Sequence, residues 1–488
     1  MRGCLRAAVA AFGLAALLVA AAPGSGTVAA AGVRFATPVY IDQQLAGGEP
    51  EVLSDPLHGT LVYTSHEGTT HLYRNGLITS PWGDFGFVTN YCNQVNVWTS
   101  RDGGVNWFRD RYLGSPCPSS PAINTGFSDP DLTMDAGGRI YNTGIDLAND
   151  AVFSSADGGV SWDRGTAQCH DGDRPWLAGG RANEVFMGTD PVEDALNHRV
   201  FVSTDGGTTC SATGIPDFGT TADGGSYTGF GKLFFDQARA RLAEPTVYND
   251  ANGNQIGIGV STWSRGDAAF TPHFVARSGP LVGFFPVIAV DRNNTIYSVW
   301  TPDQRQAGTA GWCSGAQTPA PNSVQMSFSK DWGKTWSAPA TIVKATNARV
   351  VWPWVIAGDA GKVSIVWYQT DPGELADLDC QPAHIHAMEA TLLNATSSGR
   401  SVGVVDAAGR VIHYGTVCQG GTSCVATGKD RRLGDFFTNA IDARGCVLVA
   451  TGDTMLTDPT TGQEYPTSRP LFIRQNAGPK LVGNGNCS

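Results

Sequence analysis

Charged residues are scarce in this sequence, and basic residues are scarcer than acidic ones. The chain has 488 residues, of which 16% are charged, with 33 Lys and Arg against 44 Asp and Glu and a net charge of −11. Proteins that bind nucleic acid need patches of Lys and Arg that displace counterions from phosphates. We therefore expect no nucleic-acid partner.

Long apolar runs are absent after the N-terminus. The one near the start, Ala7 to Ala22, is short for a bilayer, follows Arg2 and Arg6, and precedes three alanines at 29–31. This pattern predicts a signal peptide at residues 1–31, a mature domain at 32–488, secretion and no membrane span. Without Cys4, ten of the 11 cysteines remain, an even number that suits an oxidising compartment.

Glycine, proline and tryptophan are abundant. The chain holds 61 Gly, 27 Pro and 13 Trp without any linker-like tract. This composition favours many short strands joined by tight turns, and it excludes a coiled coil, a collagen and a disordered chain.

An eight-residue turn recurs after alternating apolar strands. It contains Ser, Asp, Gly and usually Trp, and its copies are Ser100–Trp107, Ser155–Trp162, Ser203–Cys210 and Ser329–Trp336. We expect the Asp side chain to accept hydrogen bonds from the turn's own backbone, Gly to supply positive φ, and Trp to pack over the strands.

The pattern Ser-x-Asp-x-Gly-x-x-Trp resembles the Asp-box, or BNR repeat, of the sialidase superfamily. The resemblance implies a β-propeller whose Asp-boxes lie at the outer edge, away from the active site. We therefore assign no catalytic role to Asp102, Asp157, Asp205 or Asp331.

A second repeat sets the number of blades. Its copies are anchored mostly by prolines, at Pro50, Pro130, Pro175, Pro245, Pro286, Pro353 and, more loosely, Gly434. The predicted fold is all-β, a seven-bladed propeller of four-stranded antiparallel blades. Six blades are the alternative, because sialidases commonly have six. We expect Val33 to Asp42 to complete the last blade and close the ring.

The residues that flank these anchors should converge on one central mouth, because inner strands of a propeller begin at the ligand-binding face. Their carboxylate, guanidinium and aromatic groups suit a carbohydrate or glycoconjugate. The candidate binding residues are Glu49, Asp129, Asp131, Asp173, Arg174, Trp176, Glu244, Trp352, Arg431, Arg432 and Asp435. The alternative is that they pair with one another and plug the channel.

The resemblance to sialidases is incomplete at the site. It implies three arginines that bind the substrate carboxylate, a Tyr–Glu pair as the nucleophile and an Asp as the acid. However, Gly48 stands where the first arginine is expected. Arg432 occupies a corresponding position, Arg174 is one residue out of register, and Tyr414 is the first tyrosine to consider. We assign no catalytic residues.

Metal signals are weaker. His384 and His386 share one face of a strand, but no third ligand lies near them in sequence, so we interpret them as structural. The segment His170 to Arg174 offers oxygen ligands without a full calcium-loop spacing. We predict no cofactor and leave a structural calcium ion open.

The order of the repeats predicts disulfides within or between neighbouring blades. The expected pairs are Cys92–Cys117, Cys169–Cys210, Cys313–Cys380, Cys418–Cys424 and Cys446–Cys487.

Three functions remain open for a protein that we expect to be a monomer: a sialidase-like, exo-acting glycoside hydrolase, a non-catalytic propeller that binds a glycan or protein, and a structural protein with a plugged channel.

Overall fold

The described strands form seven separate antiparallel sheets. The computed structural model describes residues 32–68, 71–73, 95–110, 126, 128–145, 150–163, 172–190, 198–212, 224–279, 281, 286–302, 321–421, 424 and 427–488. Blade 1 contains β3 (Glu51–Asp55), β4 (Thr60–Ser65), β5 (Asn96–Ser100) and β6 (Phe108–Asp110). Blade 2 contains β7 (Ser128–Met134), β8 (Ile140–Ile145) and β9 (Asp150–Ser155). Blade 3 contains β10 (Asp173–Gly179), β11 (Val185–Asp190), β12 (Arg199–Ser203) and β13 (Ser211–Ala212).

The remaining four blades are arranged in the same way. Blade 4 contains β14 (Ser226–Thr228), β15 (Phe234–Asp236), β16 (Arg241–Asn249), β17 (Gln255–Ser264) and β18 (Thr271–Arg277), and blade 5 contains β19 (Val287–Val290), β20 (Ile296–Trp300), β21 (Ser323–Ser329) and β22 (Ala340–Lys344). Blade 6 contains β23 (Val350–Ala357), β24 (Val363–Thr370), β25 (Ala383–Leu393), β26 (Ser401–Asp406) and β27 (His413–Gly415). Blade 7 contains β28 (Thr438–Ile441), β29 (Val447–Asp453) and β30 (Arg469–Ala477), joined by β1 (Arg34–Phe35) and β2 (Val39–Tyr40). The protein is an all-β, seven-bladed propeller, as predicted.

The N-terminal segment closes the ring. Both β1 and β2 pair antiparallel with β30. The backbone N–H of Ala36 donates to the carbonyl of Arg474 at 2.8 Å, and that of Ile41 donates to Pro470 at 3.0 Å. The last blade therefore combines strands from both ends of the chain, which confirms the predicted closure and covers the edge of β30.

The second strands of the blades are buried on both faces. Every residue of β4 and of β8 is buried, because each sheet packs between two neighbouring sheets. Aromatic rings fill the space between blades, as where Tyr368 stacks on Phe437 with ring centroids 4.0 Å apart. These strands therefore lack the alternation of apolar and polar residues that a half-exposed sheet shows.

The recurring turns have the predicted geometry. In the first, Ser100 Oγ accepts from the Gly104 N–H at 2.8 Å, and Asp102 Oδ1 accepts from the Asn106 N–H at 2.9 Å. Trp107 Nε1 donates to the Gly104 carbonyl at 3.2 Å. The same Ser and Asp bonds recur at Ser155, Ser203 and Ser329. Each turn follows a third strand, so it lies at the end of its blade opposite to where the inner strand begins.

The fourth blade departs from the predicted alignment. Pro245 lies on β16, which is the second strand, while β14 and β15 together form the innermost strand. Gly229 and Gly231 lie between these two short pieces, and this inner strand has no anchoring proline. Glu244 is therefore not at an inner-strand start, and its carboxylate lies 2.8 Å from His198 Nε2.

Two predicted disulfides are confirmed. Cys418 bonds to Cys424, and Cys446 bonds to Cys487, each with Cα atoms 5.9 Å apart. Cys210 and Cys380 are also disulfide-bonded. The other predicted partners, Cys92, Cys117, Cys169 and Cys313, lie outside the described residues, as does the predicted signal peptide. In the part of the chain that the structure describes, no helix has the length and apolar character needed to cross a bilayer.

Candidate functional site

Four inner strands begin with the same unusual backbone. Glu49, Asp129, Arg174 and Trp352 have φ between 50° and 57°, and each precedes a proline. Register shifts follow in three of these blades, between Ser128 and Asp131, Asp173 and Trp176, and Val351 and Trp354. Left-handed non-glycine residues are strained, and bulges re-aim side chains. Four of the seven inner strands therefore share a strained backbone at the same end of the ring.

Glu49 is at the centre of the mouth and is fully buried. Its Oε1 accepts the N–H of Asp435 at 3.0 Å and lies 2.9 Å from His71 Nε2. Its Oε2 accepts the N–H of Asp129 at 3.3 Å. Burial, reinforced by the nearby Asp435 carboxylate, raises the pKa of Glu49 to about 8. Glu49 therefore links the inner-strand starts of blades 1, 2 and 7.

Asp129 and Asp435 lie on either side of Glu49, and their pKa values are shifted in opposite directions. Burial, together with the charges of Glu49 and Asp173, raises the pKa of Asp129 well above its ordinary range. Burial acts in the same direction on Asp435, but Arg431 outweighs it and lowers the pKa of Asp435. The Arg431 guanidinium donates to both carboxylate oxygens of Asp435, at 2.6 and 3.0 Å. The mouth thus combines two neighbouring carboxyl groups whose pKa values are shifted in opposite directions.

Asp173 and Arg174 are adjacent in sequence, and both are accessible to solvent at the mouth. Asp173 is exposed, and Arg174 is half-buried. Burial opposes the charge of Arg174, but Asp173, Asp435, Asp190 and Asp129 together raise its pKa. This guanidinium therefore stays positive at the opening of an otherwise acidic depression.

Below the mouth, a partly buried ion cluster spans three blades. Lys232 Nζ bonds to the carboxylate of Glu51 and, at 2.5 Å, to Asp131 Oδ1. The other carboxylate oxygens are also used, because Glu51 Oε2 accepts the Leu132 N–H at 2.6 Å and Asp131 Oδ2 accepts the Leu177 N–H at 2.5 Å. Asp131, predicted as a binding residue, therefore braces the inner strands.

Aromatic rings fill the centre from other blades. Trp176 has its ring centroid 5.8 Å from that of Trp354 and 5.3 Å from that of Phe436, and all three are buried. Trp352 is buried against Tyr368, with ring centroids 5.8 Å apart. Trp176 and Trp352 thus form part of the core of the ring. Together with the Lys232 cluster, they close the channel below the mouth.

A cleft of about 990 Å³ lies beside the mouth, above blades 6 and 7. Its floor includes Arg432, whose guanidinium binds Asp430 Oδ2 at 2.7 Å and Glu464 Oε2 at 3.1 Å. Tyr73, Tyr414, Tyr465 and Glu464 are among the other residues that line it. The sequence indicated Arg432 and Tyr414, but it gave no signal for Glu464 and Tyr465, which belong to the long connection between β29 and β30.

No family model and no curated protein matches the chain. Several solved structures align with most of it at low identity. A polysaccharide lyase of family PL25, an ulvan lyase, is 12% identical with a TM-score of 0.46, covering 92% of this chain and 98% of the lyase. The α-L-arabinofuranosidase Arb93A of Fusarium graminearum is 13% identical with a TM-score of 0.42, with coverage of 92% and 98%.

Another similar structure has a different printed description. YCF48 bound to a D1 peptide is 9% identical with a TM-score of 0.44, covering 93% of this chain and 99% of YCF48. The similar structures thus include carbohydrate-active proteins and a peptide-bound one. At identities and TM-scores this low, the similarities carry no information about the function of this protein.

Proposed function

We propose that the protein is a carbohydrate-active propeller that hydrolyses a glycosidic bond at its central mouth. The observation that carries this proposal is the pair of carboxyl groups on either side of Glu49, with the pKa of Asp129 raised and that of Asp435 lowered. Glycoside hydrolysis needs one carboxylic acid that protonates the leaving oxygen and one carboxylate that attacks the sugar or activates water. Asp129 takes the first role and Asp435 the second.

The charges of the mouth favour a neutral sugar. Arg431 is held by Asp435, and Arg432 is held by Asp430 and Glu464, so both guanidinium groups already have carboxylate partners. Arg174 is half-buried at the mouth, and the carboxylates of Asp173, Asp435, Asp190 and Asp129 act on its charge. A substrate carboxylate would meet Asp129, Asp173 and Asp435, whereas neutral hydroxyl groups can bond to carboxyl and guanidinium groups alike.

The four Ser-x-Asp turns support placing the chain in the sialidase superfamily. We propose this membership together with the cleaved signal peptide at residues 1–31, secretion, and a mature, monomeric domain at residues 32–488. The two described disulfides fit an oxidising compartment.

The test is hydrolysis of a panel of aryl glycosides by the purified protein, with neutral sugars and one sialoside. We expect turnover of a neutral glycoside and a fall in kcat of about 10²–10⁴-fold in Asp129→Asn, because general-acid catalysis contributes that much. Asp435→Asn should be similarly impaired. Asp102→Asn, in an exposed turn, is the matched control. Turnover of the sialoside alone would contradict the neutral substrate, and full activity in Asp129→Asn would contradict the acid.

A second candidate function is glycan binding without hydrolysis. The observation that favours it is the cleft beside the mouth, where Tyr73, Tyr414 and Tyr465 offer aromatic surfaces around Arg432. Aromatic rings stack on sugar faces, and charged groups orient hydroxyls. Calorimetry that detects a bound oligosaccharide, lost in Tyr414→Ala, in a protein without turnover of any glycoside would favour this function over the first.

A further inference from the structure

Blade 6 carries a group of metal-ligating side chains outside the mouth. Asp371 and Glu374 lie on the turn after β24, and His384 lies on β25. One ligand atom from each of the three lies within 4.8 Å of the other two. The sequence predicted that His384 and His386 share one face of a strand, but it indicated no third ligand, because Asp371 and Glu374 belong to the preceding turn.

The separations fit a divalent metal ion. His384 Nδ1 lies 2.7 Å from Glu374 Oε1 and 3.8 Å from Asp371 Oδ2. Ligand atoms about 2.0 Å from a tetrahedral zinc ion are about 3.3 Å from one another, which lies between these two values. Small side-chain rotations would therefore place all three atoms on one ion.

Both carboxylates are already oriented by their second oxygen. Glu374 Oε2 accepts the backbone N–H of His384 at 2.7 Å, which leaves Oε1 facing the imidazole. Asp371 Oδ1 lies 3.1 Å from His386 Nε2, and His386 Nδ1 lies 2.8 Å from Asp406 Oδ2. Carboxylate–histidine contacts of this kind orient the direct ligands in metal sites.

The cluster also has an excess of negative charge. Its three carboxylates, on Asp371, Glu374 and Asp406, form ion pairs with His384 and His386, and with no Lys or Arg among the described residues. The side chains of Asp371 and His384 are 45% and 43% exposed. An ion from solution can therefore reach them, and its charge would offset theirs.

We propose that Asp371, Glu374 and His384 bind a divalent transition-metal ion, with zinc as the best fit to one imidazole and two carboxylates. His384 binds the ion through Nδ1 as the neutral ring, with its proton on Nε2. Water completes the coordination. The ion ties the turn after β24 to β25, and it fixes one wall of the cleft, because the His384 ring lies 4.5 Å from that of Tyr414.

The test uses the full mature protein after removal of metals with a chelator. Equilibrium dialysis against ZnCl₂, with metal analysis, should show one tight zinc ion per chain, and zinc should raise the melting temperature. We expect zinc affinity to fall at least about tenfold in His384→Ala and in the isosteric variant Glu374→Gln. His58→Ala is the matched control, because His58 Nδ1 faces the Asp55 carboxylate at 2.5 Å and has no place in the cluster.

Asp406→Asn tests the contact between Asp406 and His386, because Asp406 is not one of the three proposed metal ligands. It should weaken zinc binding by about tenfold through His386 and Asp371, while the melting temperature of the metal-free protein stays close to that of wild type. Absence of stoichiometric zinc binding would overturn the proposal, and so would wild-type affinity in Glu374→Gln. The glycosidase assay is not part of this test, so failure of the proposed activity leaves its result intact.

Discussion

At the scale of single residues, Glu49 makes the stability of the protein depend on pH. Its pKa is about 8 in the folded chain against the ordinary 4.5. Between these values the folded state holds a proton that the unfolded state releases. The free energy of unfolding should therefore fall as pH rises from about 4.5 to about 8 and level off above that range.

Glu49→Gln should remove much of this slope, because a glutamine does not titrate. We expect urea unfolding at pH 5 and pH 8 to show a smaller difference for the variant than for wild type. Asp163→Asn, at a carboxylate that is 72% exposed, is the control and should keep the wild-type slope. Equal slopes for wild type and Glu49→Gln would place the folded pKa of Glu49 near its ordinary value.

Arg431 and Asp435 are the second test at this scale. Arg431→Met leaves the Asp435 carboxylate buried without its cation, which should lower the free energy of unfolding by about 3–5 kcal/mol at pH 7. The loss should shrink at acidic pH, because the pKa of Asp435 rises without Arg431 and the group can then be protonated. The double variant Arg431→Met with Asp435→Leu should recover part of the stability. Chemical denaturation of all three proteins checks this, and an unrecovered double variant would contradict it.

The sequence predicted several residues of the mouth, but it did not predict Lys232, which bonds to Glu51 and Asp131 below it. Glu49, Asp129 and Arg174 could be predicted because each precedes a proline at an inner-strand start. Lys232 could not, because its strand has glycines where the others have proline. A signal did exist: Lys232 stands four positions before the turn residue Asp236, as Glu51 does before Asp55 and Asp131 before Asp135.

At the scale of elements, the recurring turns stabilise blades rather than carry chemistry. Asp157 accepts the N–H groups of Val160 and Ser161 at 3.1 and 2.9 Å and the hydroxyl of Ser155 at 2.8 Å. Asp157→Ala should lower the free energy of unfolding by about 1–2 kcal/mol, since several modest hydrogen bonds are lost at an exposed turn. Ligand binding at the mouth should not change. A loss of binding without a loss of stability would show that the turn belongs to a site.

Strand order was predictable where hairpins are short and motifs repeat. In the fourth blade the predicted strand assignment was wrong. Its motif at Glu244 and Pro245 matched the other anchors, yet the residues lie on β16, because the innermost strand is broken between Thr228 and Phe234. A short, glycine-rich strand has neither an apolar pattern nor a proline, so local sequence could not identify it.

At the scale of the whole molecule, the ring depends on its N-terminal segment. A chain that lacks residues 32–42 would expose the edge of β30 and should melt several degrees lower and aggregate on heating. A synthetic peptide of residues 32–42 should restore the melting temperature of the truncated protein, whereas a scrambled peptide should not. Scanning calorimetry and light scattering follow both effects. An unchanged melting temperature after truncation would mean that the last blade is stable without β1 and β2.

Because the centre of the propeller is filled, the mouth is a pocket that is closed at its inner end. Trp176, Trp354 and Phe436, with Lys232 and its carboxylates, separate the mouth from the opposite face of the ring. A polymer cannot thread through the axis, so a long chain can enter only by its end or lie across the opening. Whatever enters must also leave by the same passage, and a product that is slow to depart would compete directly with the next substrate.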